Sequence, residues 1–296
     1  MAAKMTIQDA ESESGWGMEQ TAGLVLFCAV LLFYGFKAPE FAVPGRWAGM
    51  LSSFFGLEPS RLPVRPLWSG LMALAAQLPA GQAAHLVNLL SALLGALVSL
   101  LLFTIVRRIP FSGARKLNQR WSVERWPRLM AGLFAGLIGA VAHPIMTVAT
   151  QGDFFILDAL LLLLPLWPAL AYLHRPHRAL VLASFMAFGL GVAEYHTLAL
   201  LLPGFFLWWL WQLWTNMQLR SLLAPLAVLA LFGTAVAVML PFAAVSRTYL
   251  MAGGGEPVTL FAAWQAYFKL YGLELLRSVP KVGWLLLIGT NVLPLV

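Results

Sequence analysis

Apolar runs of membrane-crossing length dominate this chain, and short polar stretches punctuate them. A helix needs ~20 mostly apolar residues to cross the hydrocarbon core of a bilayer. By run length the chain divides into about eight such segments: 21–36, 82–106, 128–148, 154–173, 179–193, 197–213, 221–245, and a last run from 281 to Val296. The last is barely long enough to cross, so a truncated chain is the expectation. The expected architecture is all-α: a polytopic transmembrane helical bundle (21–296) behind a polar N-terminal tail (1–20).

Composition supports this pattern. The chain is 60% hydrophobic and 10% charged, with a mean hydropathy of +0.81. A soluble domain of 296 residues could not cover so much apolar surface. The single cysteine, Cys28, excludes a disulfide framework within the chain. The first twenty residues are polar and acidic, so no cleavable signal is expected.

The net charge of +7 does not point to nucleic acid. Much of the excess sits in the 107–128 loop, with Arg107, Arg108, Arg115, Lys116, Arg120, Arg125 and Arg128 against Glu124. Basic loops stay cytoplasmic. That places the N-terminus inside and the loops 37–80 and 246–280 outside. Gln151-Gly152-Asp153 and Glu194-Tyr195-His196 fall on the outer side too. Trp208, Trp209, Trp211 and Trp214 are then expected at the inner interface. Trp47–Leu57, Leu67–Leu78 and Val258–Leu276 read as short helices lying on the outer surface.

Several ordered motifs carry a resemblance. Pro66-Leu67-Trp68-Ser69, Leu78-Pro79, the run from His85 through Asn88 and Ser91, and Val106-Arg107-Arg108 resemble a bacterial "HPPGYPLY…LP…RVNLLSALFAAL…RR" pattern. Gly152–Leu157 stands where that family has "AEVYTL". Gly189–Thr197 with Leu201-Leu202-Pro203 stands where it has "GLALGNHLT…LLP". The family is one of GT-C-type integral-membrane glycosyltransferase-like proteins, related to a eukaryotic protein O-mannosyltransferase. The resemblance covers roughly residues 20–215. It implies a GT-C-like fold and transfer of a sugar from a polyprenyl-phosphate carrier at the non-cytoplasmic face of a bacterial inner membrane. The acceptor class, whether protein, lipid or glycan, stays open.

One departure matters. The family often carries an acid in a "GDSGEL"-like stretch early in the first outer loop. Here Val43–Ala48 stands there, with Arg46 in place of the second acid. Either Glu40 has taken over as base, or this member has lost or changed its catalysis. The histidine of the family's "NHLT" is shifted to His196.

The candidate chemistry follows. Glu40 is the expected general base; the alternative is a loop carboxylate paired with Lys37. Asp153 is a second catalytic acid, or simply an acid favoured by a helix N-terminus. Asp158, one and a half turns deeper, should face protein or a cavity rather than lipid. Arg46, Arg61 and Arg65 are outer-loop cations that suit a phosphate, because guanidinium binds it bidentately; snorkelling to lipid headgroups is the alternative. His85, Asn88 and Ser91 share one helix face, as substrate contacts or as interhelical glue. His143, Glu194, Tyr195 and His196 complete the substrate-binding candidates. No linear metal motif exists and no metal ligand is assigned; Mg²⁺ or Mn²⁺ held by Asp153, His143, Glu194 and His196 is the open alternative. Expected partners are the lipid-phosphate sugar donor, membrane lipids and the acceptor, with no nucleic acid. A non-catalytic lipid-binding scaffold is the rival reading. A transporter is disfavoured, because no repeated halves are found.

Overall fold

The computed structural model describes residues 17–41, 65–109, 125–216, 222–229 and 231–232. Every regular element among them is helical. In order these are α1 (Met18–Lys37), α2 (Pro66–Ala75), α3 (Ala80–Arg108), α4 (Arg125–Val141), α5 (His143–Thr150), α6 (Phe155–Leu163), α7 (Leu166–His174) and α8 (Arg178–Glu194). A 3₁₀ turn (His196–Leu201) and α9 (Leu202–Thr215) follow.

Four stretches are long and apolar enough to cross a membrane: Met18–Lys37, Ala80–Arg108, Phe155–His174 and Leu198–Thr215. A fifth exists if the bent pair α4 and α5 is one span. The protein is an integral membrane protein by this measure, but about eight spans are not found among the described residues. One reason is length. α8 has 17 residues, about 26 Å of rise, against a hydrocarbon core of about 30 Å. The expected helices at Trp47–Leu57, at Val258–Leu276 and at 281–296, and most of 221–245, lie outside the described residues. The short run after Pro66 is a helix, α2, with the proline at its first turn where a missing N–H costs nothing.

The expected straight segment 128–148 is instead broken at Ala142, with a 62° bend between α4 and α5. Pro144 is the cause. It has no N–H for the carbonyl of Ala140 four residues back, and its ring clashes there. The freed carbonyl accepts a hydrogen bond from the Tyr34 hydroxyl at 2.7 Å. A break inside an apolar segment is tolerated when a neighbour satisfies the backbone in this way.

The chain divides into two compact units. The first holds residues 1–42 and 85–156. Its helices meet at small residues. A Cβ on Gly95 of α3 would lie 2.6 Å from the Ala149 Cβ of α5 and 2.7 Å from the Tyr34 ring of α1. Only glycine permits three helices to approach so closely there. The Phe103 ring fills the space left by Gly23 of α1 and Gly132 of α4. Glu19 pairs with Arg107 at 2.6 Å, joining the ends of α1 and α3.

The second unit holds residues 43–84 and 157–296. Its core gathers Ala169 and Tyr172 of α7, Val181 and Phe185 of α8, and Trp209 and Leu213 of α9. Ser184 donates to the Pro165 carbonyl at 2.9 Å and accepts from the Trp209 indole at 3.3 Å. The expected interfacial tryptophan cluster therefore splits. Trp211 and Trp214 are exposed, whereas Trp209 is fully buried, edge-on to Tyr172. Helical periodicity turns one indole of the group inward.

Candidate functional site

The second unit holds the polar cluster around Glu194. α8 ends at Glu194, and the 3₁₀ turn begins at His196. The tripeptide thus separates two helical elements, as its polarity suggests. The Glu194 side chain is almost fully buried. Its Oε2 accepts from the Leu67 N–H at 2.7 Å, and its Oε1 accepts from the Trp68 N–H at 3.2 Å. These are N–H groups of the first turn of α2. The local N-cap, Arg65, offers no acceptor side chain, so a carboxylate distant in sequence caps the helix. Burial raises the Glu194 carboxyl above its ordinary value. The two N–H groups and Arg65 oppose that shift, and Asp158 adds to it.

Arg65 is buried as well. Its Nη1 donates to Asp158 Oδ1 of α6 at 2.5 Å. Its guanidinium lies over the Tyr195 ring, 5.2 Å from the centroid. Arg65, Asp158, Glu194 and Tyr195 therefore form one constellation that fastens the start of α2 to α6 and to the end of α8. Asp158 faces protein, as its depth requires. The sequence flags each of these residues but does not pair them. The available signal is a helix start at Pro66 whose first N–H groups have no local acceptor.

The first unit holds Glu40, His85, Asn88, His143 and Asp153. Glu40 is exposed, three residues beyond α1. It makes no ion pair with Lys37, whose ammonium lies over the Phe33 ring instead. Asn88 is fully buried on α3, and its amide donates to the carbonyls of Pro39 at 2.7 Å and Phe41 at 3.2 Å. Asn88 Oδ1, His85 Nδ1 and Ser91 Oγ have no hydrogen-bond partner. Asn88 thus binds a neighbouring segment, while Ser91 makes no such bond.

Asp153 sits in the turn between α5 and α6. Gly152 takes a left-handed φ of 72°, and the Asp153 N–H reaches back to the Val148 carbonyl at 3.4 Å. That is how a glycine just past a helix end closes its last carbonyls. Asp153 Oδ1 then accepts from the Phe155 N–H at 3.2 Å, capping α6. His143 is exposed at the start of α5. Among the described residues no three His, Cys, Asp or Glu side chains gather as a metal site. The His196 side chain, Arg46 and Arg61 lie outside the description.

Glu40 and Asp153 leave the same junction by different routes. The Gly95 contact joins α1, α3 and α5. Glu40 lies six residues beyond Tyr34, and Asp153 four beyond Ala149.

Residues 57–219 match the family model described as the protein O-mannosyl-transferase TMEM260 N-terminal domain. The chain belongs to that family. The match to the TMEM260 N-terminal domain spans every motif from Pro66 to Pro203 on which the resemblance rests, and the relation to a eukaryotic O-mannosyltransferase holds. Glu40 and Arg46 precede the matched region. No curated protein and no solved structure matches the chain.

Proposed function

We propose that the protein is a membrane glycosyltransferase of GT-C type. It moves a sugar from a polyprenyl-phosphate carrier to an acceptor hydroxyl at the non-cytoplasmic face of a bacterial inner membrane. The family match over residues 57–219 is the observation that carries this reading. The family's name makes mannose and a protein hydroxyl the first pair to test.

The acceptor oxygen attacks the anomeric carbon, the bond from that carbon to the phosphate oxygen breaks, and polyprenyl phosphate leaves. Glu40 takes the hydroxyl proton. It suits that task because it is exposed and unengaged by Lys37. Asp153 stands as the second acid, on the same unit. Asp158 already pairs with Arg65, so Arg65 serves the donor phosphate by placing α2, and the outer-loop arginines Arg46 and Arg61 are proposed to grip it. His85 and His143 in the first unit, and Glu194, Tyr195 and His196 in the second, remain proposed substrate contacts.

The test uses the purified full chain, a polyprenyl-phosphate mannose and a Ser/Thr peptide. Glu40→Gln should lower turnover by about 10²–10⁴, with Asp153→Asn losing less. Turnover indifferent to both substitutions removes the site. No transfer to any acceptor favours the second reading, a non-catalytic lipid-binding subunit, which Arg46 in place of the family's acid already supports.

A further inference from the structure

We infer that Asn88 is a positioning residue for Glu40. The inference rests on the reading of Glu40 as base, and adds how the fold holds that base in place. The Asn88 amide nitrogen donates twice to one short segment, to the Pro39 carbonyl at 2.7 Å and to the Phe41 carbonyl at 3.2 Å. Those carbonyls belong to the residues on either side of Glu40. The Pro39 carbonyl lies in the peptide plane that precedes the Glu40 Cα, and the Phe41 carbonyl lies one residue beyond it, so the two bonds pin the backbone before and after Glu40 and limit the direction in which its side chain leaves it.

The segment has little else to hold it. α1 ends at Lys37, and Ala38 is already extended. Pro39 has no N–H to give. Glu40 and Phe41 are exposed. Asn88, by contrast, is fully buried on a 29-residue helix, and α3 is tied to α1 at Gly95. A buried amide is costly unless it is hydrogen-bonded, so Asn88 keeps both bonds. Only a side-chain amide suits the task. Aspartate of the same shape would set a charge against two carbonyl oxygens, and leucine would offer no donor. General-base catalysis needs the carboxylate within hydrogen-bond reach of the proton it removes, and a displacement of ~1 Å costs about 100-fold.

Two measurements on the full chain in detergent decide the matter. The first is the mobility of a nitroxide on Phe41→Cys in a Cys28→Ala background, with Asn88 intact and with Asn88→Leu or Asn88→Asp, the latter keeping the side-chain volume should the leucine variant fail to fold. The label should become several-fold more mobile when the amide is lost, while a label on Met130→Cys of α4, an exposed position, is unchanged. Unchanged mobility at 41, or loosening spread over the whole unit, overturns the anchor, whether or not any sugar is transferred. The second is a double-mutant cycle on mannosyl transfer. Asn88→Leu should lower kcat by about 10–100-fold with little change in donor KM. The Asn88→Leu/Glu40→Gln pair should be no slower than Glu40→Gln alone, because Asn88 acts only through that carboxylate. Additive losses overturn the positioning role. An active Glu40→Gln overturns both this inference and the base assignment, whereas an active Asn88→Leu beside a dead Glu40→Gln overturns this inference alone.

Discussion

At the scale of single residues, Glu194 shows why an expensive side chain is kept. A buried carboxylate is tolerated only where hydrogen bonds and charge answer it. Here two N–H groups of α2 and the Arg65 guanidinium do so. Removing the acceptor in Glu194→Ala should cost about 1–2 kcal/mol, the range for loss of an N-cap. The glutamine variant separates charge from shape. The carboxyl is raised in the folded chain because burial outweighs its partners. It therefore binds its proton more tightly folded than unfolded. Stability from this group is present at low pH and falls as pH climbs through the unfolded value, levelling off above the folded one. Thermal unfolding in detergent should show the wild type losing ground to Glu194→Gln over the pH window that opens at about 4, the ordinary glutamate value. A gain over that window would mean that the hydrogen bonds outweigh burial. The sequence exposes Glu194 as anomalous because polar residues interrupt an apolar run. It cannot expose Leu67 and Trp68 as the donors, because backbone groups leave no mark in composition.

At the scale of elements, helix existence is legible and helix continuity is not. The expected segments 21–36 and 82–106 sit inside α1 and α3, because long apolar runs bounded by polar residues leave no rival structure. The segment 128–148 is apolar too, yet it breaks. Pro144 hints at this, but prolines occur in continuous membrane helices too. What decides the outcome is a partner on another helix, the Tyr34 hydroxyl on the Ala140 carbonyl. Tyr34→Phe keeps the ring against Gly95 and removes only that donor. It should cost about 1–3 kcal/mol for the carbonyl left buried without a partner, measured by thermal unfolding in detergent. The altered protection should concentrate at the α4–α5 bend. A variant as stable as the wild type would show that water or another group serves Ala140 equally well. The candidate site follows the same rule. Glu40 and Asp153 are visible as acids flanking apolar runs, but the bonds that place them, from Asn88 and through Gly152, come from tertiary contact and backbone conformation.

At the scale of the whole molecule, the proposed chemistry depends on which side of the membrane each loop occupies, and α3 carries that question. Its 29 residues rise about 44 Å, more than the hydrocarbon core of about 30 Å. It carries Arg107 and Arg108 in its last turn and has no charged residue before them. On the proposed orientation its two ends reach opposite faces, with the arginines in the cytoplasm. Phe41 lies beside the Asn88 end of α3, and Ser112 follows its basic end in sequence. Cys28 is exposed, so labelling starts from a Cys28→Ala background. In intact cells a membrane-impermeant maleimide should then modify Phe41→Cys and spare Ser112→Cys, and permeabilisation should open the second site. The same reagent reaching both positions in intact cells, or neither, would contradict a crossing by α3. Glu40 would then not stand on the face where a lipid-linked sugar waits, however well Asn88 holds it.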